Sequence, residues 1–118
     1  MSVFVIAEAG VNHNGSVYTA KKLIDVASSA GADAVKFQTF KVKSFVTKKA
    51  KKATYQKKIK NQNENQFDML KKLEFSFEEH KKLIKYCKSK KIIFLSSPFD
   101  IESIDLLNKL NLEIFKIP

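Results

Sequence analysis

A chain of 118 residues is enough for one domain with a single core. It carries no run of about 18 apolar residues that could span a bilayer, and no basic leader or cleavage site precedes its first apolar run. The one cysteine, Cys87, excludes an intramolecular disulfide and suits a reducing compartment, the cytoplasm. The net charge is +10 and all 22 basic residues are lysine. Such an excess raises nucleic acid, a membrane surface or an anionic small molecule as partner. The absence of arginine counts against nucleic acid, because bidentate base and phosphate contacts favour the guanidinium fork.

The first element is a short apolar run, Val3 to Ala7, with the β-branched and aromatic bias of a buried strand. It ends in Glu8 and turns through Gly10, Asn12, His13, Asn14 and Gly15, residues that tolerate a left-handed backbone. Ser16 is placed to cap a helix with the stripe Val17, Ala20, Leu23, Ile24 and Ala27, stopping near Gly31. Ala34 to Gln38 predicts a second strand, with Lys36 and Gln38 on one face and Val35 and Phe37 on the other.

From Lys41 to Lys60 stand nine lysines and no acidic residue, interleaved with Phe45 and Tyr55 and preceded by Phe40. This stretch reads either as a phosphate-tracking patch or as a long loop closing over a ligand. Asn63 to Leu73 predicts a short amphipathic helix. Ser76 and Glu79 form a capping box for the next one, with Leu83, Ile84 and Cys87 inward. His80 shares that inward stripe but has no second ligand at metal spacing, so no role is assigned to it. Ile92 to Ser97 predicts the third strand, ended by Pro98, and Asp100 caps a helix bearing Ile101, Ile104, Leu107 and Leu110. Glu113 to Ile117 predicts a fourth strand, with Lys116 near its exit.

Strands alternating with helices require parallel crossovers, an α/β fold of (β/α) units. At the strand exits stand Glu8, then Lys36 with Gln38, then Ser96 and Ser97, then Lys116. Two ammonium groups, a carboxylate, an amide and hydroxyls on one rim suit a small anionic metabolite. The plain alternative is that strands must end in something polar.

The segments IAEAGVNHNG (6–15), AVKFQTF (34–40), FSFEEHKKLIKYCKSKKIIFLSSPFD (75–100) and FKIP (115–118) resemble the N-terminal part of the sialic acid synthase family. That family comprises N-acetylneuraminate synthase and its legionaminate and pseudaminate relatives. The resemblance implies a TIM (β/α)8 barrel that condenses phosphoenolpyruvate with the aldehyde of an N-acetylated amino sugar, of the N-acetylmannosamine type, releasing phosphate. It implies a divalent metal, Mn2+ or Mg2+, whose ligands lie beyond this chain, and a homodimer of the complete protein. Residues 1–118 are then expected to be the first half of the barrel, about four strands, truncated after strand 4 and inactive alone.

By the same resemblance Lys36 and Lys116 hold the phosphate and carboxylate of phosphoenolpyruvate, and Ser97 offers its hydroxyl to the phosphate. Glu8 and Gln38 lie near the sugar, with Glu8 the candidate catalytic carboxylate, and Asn12 and His13 contribute loop contacts. Two other readings remain. One is a Schiff-base aldolase with Lys116 as the amine and Glu8 as proton shuttle. The other is a non-enzymatic lysine-rich module binding nucleic acid through residues 41 to 60.

Overall fold

Short apolar strands joined through helices have one arrangement open to them, parallel pairing with the helices packed on a face of the sheet. The computed structural model describes residues 2–44 and 60–118, with the backbone only for 60–65. In it β1 (Ile6–Gly10), β2 (Ala34–Thr39) and β3 (Ile93–Pro98) form a parallel sheet in the order β1-β2-β3. Helix α1 (Val17–Ser29) connects the first two strands. Helices α2 (Lys60–Leu73) and α3 (Phe77–Ser89) lie between β2 and β3, and α4 (Ile101–Lys109) follows β3.

The helices begin where side chains satisfy their first amides. The Ser16 hydroxyl accepts from Thr19 N, and Ser76 and Glu79 complete a reciprocal capping box. Asp100 accepts from Ser103 N through one oxygen and from Lys41 N through the other, so one carboxylate caps α4 and anchors the chain leaving β2. Gly31, at φ +82°, stands just past the end of α1, as its position in the sequence predicts.

Period-two alternation divides the sheet. Val35, Phe37 and Phe94 pack with Ala20, Ile24, Leu83, Cys87 and Phe75 into the core beneath α1 and α3. Burial pushes the Cys87 thiol up to about 12, so it is an inert packing group. The opposite face carries the other register set, Glu8, Lys36, Gln38, Leu95 and Ser97.

Three expectations need correction. The first strand starts at Ile6, and Val3 to Val5 are exposed. Asp33, just ahead of β2, takes the Val5 amide on its carboxylate and gives its own amide to the Val5 carbonyl, replacing a ladder rung with a side-chain bond. The apolar stripe of α4 is rotated: Ser103, Leu106 and Leu107 are buried, while Ile101 and Ile104 are exposed.

The fourth strand does not form. Residues 113–118 reach β3 through Lys116 N donating to Ser96 O at 3.3 Å, which sets Lys116 level with Ser97. In parallel register the return bond to Lys116 would come from the amide of residue 98, and Pro98 has none. The described sheet therefore has three strands where four were expected. Most of the lysine-rich excursion, with Phe45 and Tyr55, lies outside the described residues.

Candidate active site

The site is laid out by two neighbouring rungs of the sheet. Glu8 pairs with Lys36 and Lys36 with Leu95; one inward-facing step further on, Gln38 pairs with Ser97. Partners in a parallel ladder share a face, so Glu8, Lys36, Gln38 and Ser97 come together near the C-terminal ends of the strands. The Lys36 ammonium meets the Glu8 carboxylate at 2.5 Å. The two are unequally accessible: the Lys36 side chain is 13 % exposed, that of Glu8 55 %. The cation is recessed and its carboxylate partner stands in front of it.

Gly10 keeps this corner open. The ladder register shifts between Glu8 and Gly10, and Gly10 has φ +55°. A Cβ at this position would sit 3.0 Å from Glu8 Oε1 and 3.5 Å from Gln38 Nε2. The glycine thus lets a carboxylate and an amide from different strands approach one point. The left-handed conformation expected of this loop is also found at Asn14 and Gly15.

The other candidates are less closely gathered. Ser97 is buried and its hydroxyl has no partner among the described residues. The backbone of Lys116 is level with Ser97, but its ammonium is exposed and turned to the Ile117 carbonyl at 2.5 Å. Asn12 is exposed in the loop, its amide donating to Ala9 O.

His13 lies on the helix side of the sheet, stacked on Phe75 with ring centroids 4.1 Å apart and 6.1 Å from Phe37. Its Nδ1 accepts from the Gly15 amide at 2.9 Å, and its Nε2 is buried without a partner among the described residues. Burial holds its pKa down at about 4, so the ring is neutral. Its immediate setting is the aromatic core beneath the loop, apart from the Glu8–Lys36 pair.

The sequence reading passed over Thr39 and assigned nothing to His80. The two are joined: His80 Nε2 lies 2.9 Å from Thr39 Oγ1, which lies 2.7 Å from Ser96 Oγ. The available signal was a polar residue, Thr39, at the end of the strand's apolar face. Among the described residues no group of three or more His, Cys, Asp or Glu side chains is placed to hold a metal ion. His80 has both ring nitrogens engaged. The described residues alone thus gather no such ligand set.

The model of the NeuB family matches residues 23–118. The chain belongs to the NeuB family. It is 57 % identical over 114 residues to the N,N'-diacetyllegionaminic acid synthase of Campylobacter jejuni, and 49 % identical over 118 residues to that of Legionella pneumophila. These matches take in 97 % and 100 % of the chain but 34 % and 33 % of the relatives, so the chain spans about a third of their length. The N-acetylneuraminic acid synthetase of Leptospira borgpetersenii, solved in complex with citrate, has the same fold over 99 % of this chain and 36 % of its own. There the TM-score is 0.80 and the identity 32 %. The relatives of this NeuB chain thus include two N,N'-diacetyllegionaminic acid synthases, and its α/β unit superimposes on part of an N-acetylneuraminic acid synthetase.

Proposed function

We propose that the chain supplies the first strands of a (β/α)8-barrel synthase that joins phosphoenolpyruvate to an N-acylated amino sugar and releases phosphate. The observation that carries this reading is the cluster of Glu8, Lys36, Gln38 and Ser97 on one sheet face in a NeuB-family chain. The identity to two diacetyllegionaminic acid synthases favours a di-N-acetylated acceptor over one of the N-acetylmannosamine type.

In this reaction the vinyl carbon of the donor bonds to the aldehyde carbon, and the aldehyde oxygen takes up a proton. Water adds at the phosphate-bearing carbon and loses a proton. The bond from that carbon to the phosphate-bearing oxygen then breaks, its electrons leave with the phosphate, and the remaining hydroxyl gives up its proton as it becomes the product's keto group. Lys36 suits the donor because a recessed ammonium neutralises a polyanion more strongly than an exposed one. In the free protein Glu8 acts as its counter-ion. Donor binding displaces that carboxylate, freeing Glu8 to accept a hydrogen bond from the sugar or to carry the proton that moves at the new alcohol.

Ser97 adds a hydroxyl for the phosphate, and Lys116 adds a second positive charge once its side chain swings from the Ile117 carbonyl. Asn12 and His13 belong to the loop bordering the site. In the complete protein, a cytoplasmic homodimer in this reading, the divalent cation takes ligands from residues other than those described here.

The test is phosphate release by the full-length protein carrying this chain, given phosphoenolpyruvate with a mono- or di-N-acetylated amino sugar. The reading expects release only when sugar is present, and a fall of roughly a hundredfold in kcat/KM for Lys36→Met. Release without sugar, or none with either sugar, overturns it.

A further inference from the structure

The polar groups buried between the sheet and α3 form one directed chain. His80, Thr39 and Ser96 are each at most 2 % exposed. His80 Nδ1 lies 2.7 Å from the Ser76 carbonyl, which can only accept, so Nδ1 carries the proton. In the neutral ring Nε2 then accepts, and the Thr39 hydroxyl 2.9 Å away donates to it. With its proton so directed, Thr39 Oγ1 accepts from the Ser96 hydroxyl at 2.7 Å. Burial lowers the His80 pKa, which keeps the ring in that neutral form.

The location of this chain matters more than its satisfaction. Thr39 directly follows Gln38, and Ser96 directly precedes Ser97. Alternation sends Thr39 and Ser96 to the helix side and Gln38 and Ser97 to the site side of the same segment. The Thr39 carbonyl also accepts from Phe99 N at 3.0 Å, and Asp100 holds Lys41 N at 2.7 Å. The C-terminal end of the β2–β3 pair is therefore pinned from behind by bonds with fixed directions, which apolar packing alone would not impose.

We propose that His80 is a positioning residue: acting through the Thr39 and Ser96 hydroxyls, it fixes the stretch of β2 and β3 from which Gln38 and Ser97 face the candidate site. The proposal rests on the synthase reading for its catalytic consequence and on the geometry alone for its structural one.

Thr39→Val tests it, because valine keeps the shape and β-branching and removes only the hydroxyl. Ser96→Ala removes the same link from its other end and serves if the first variant folds poorly. Thr39→Ser keeps the hydroxyl as the conservative control. Each is made in the full-length protein carrying this chain and read by the side-chain amide resonance of Gln38 in 15N-glutamine-labelled protein, alongside kcat and KM.

The expected result is a moved Gln38 resonance and a kcat lower by roughly tenfold in Thr39→Val and Ser96→Ala, with Thr39→Ser near wild type. Combining Thr39→Val with Ser96→Ala adds little to either alone, since both cut one chain. A Gln38 resonance unchanged in Thr39→Val and Ser96→Ala overturns the proposal, whatever the activity. A moved resonance in a protein whose wild type releases no phosphate supports the positioning role and removes the synthase reading.

Discussion

The two faces of this small sheet use the same three strands for opposite ends. On the helix face Val35, Phe37 and Phe94 are buried in a continuous core, and Thr39, Ser96 and His80 among them are hydrogen-bonded, while one nitrogen of the His13 ring, Nε2, is left without a partner among the described residues. On the other face a recessed ammonium is held by a half-exposed carboxylate, and a buried serine hydroxyl has no partner among the described residues. The first face is arranged for stability. The second keeps charge and hydrogen-bonding capacity unsaturated, which costs stability and is what a ligand of complementary charge would use.

The contrast is tested most strongly by substituting neighbours on β2. Phe37→Ala removes a ring 1 % exposed and stacked on Phe94 at 5.4 Å, and should destabilise by about 3–5 kcal/mol in urea unfolding. Lys36→Met, one residue away on the other face, should change stability by about 1 kcal/mol or less, since its partner Glu8 is largely solvated. Comparable losses from the two would erase the division of labour between the faces.

Next in size is an effect of pH seated on the helix face. His13 is buried and neutral, with its pKa lowered to about 4 from 6.5, chiefly by desolvation, and that of His80 is lowered for the same first reason. A base harder to protonate when folded favours the native state above its unfolded pKa and loses that advantage as pH falls toward the folded one. His13 alone contributes roughly 3 kcal/mol across that interval. The Asp25 carboxyl, lowered mainly by the Tyr86 hydroxyl, acts in a window beginning only below its ordinary 3.8. Melting temperature should therefore fall between pH 6.5 and 4, and His13→Phe, which keeps the stacking, should flatten the slope. A wild-type melting temperature unchanged over that range would contradict the burial of both rings.

Gly15→Ala ranks third. The residue has φ +81°, and an added Cβ would come within 1.9 Å of the Lys72 carbonyl at the end of α2. The backbone strain alone is about 1–3 kcal/mol. Gly10→Ala faces the same conformational cost but meets Glu8 and Gln38 side chains instead. It should therefore disturb phosphate release as well as melting, where Gly15→Ala disturbs melting alone.

Much of this was legible in the sequence where local rules act alone. The Ser16 and Ser76 caps, the alternation of AVKFQT and the left-handed Gly10 and Gly15 are properties of a few adjacent residues. The gathering of Glu8, Lys36, Gln38 and Ser97 on one face near the strand exits followed from parallel pairing. What was not legible depends on partners far apart in sequence. The absent fourth strand turns on an amide that Pro98 lacks opposite Lys116. The core position of the His13 ring depends on Phe75, sixty-two residues later. The role of Thr39 requires knowing that α3 brings His80 over the end of β2. The lone histidine set aside for want of metal partners is bonded to a hydroxyl, a ligand type that metal spacing rules do not consider.

The smallest expected effect is also the finest division between the faces, because it compares adjacent serines. Ser96 and Ser97 are each at most 1 % exposed and carry the same side chain. Ser96 donates to Thr39, so Ser96→Ala leaves Thr39 Oγ1 without its donor and should cost about 1 kcal/mol. The Ser97 hydroxyl makes no bond within the described residues, so Ser97→Ala removes an unsatisfied group and should be neutral or slightly stabilising. If the site reading holds, the order reverses for binding: Ser97→Ala should weaken phosphoenolpyruvate through KM, while Ser96→Ala acts mainly through kcat. A Ser97→Ala variant that loses stability without a change in KM would mean that its hydroxyl serves the fold and not the ligand.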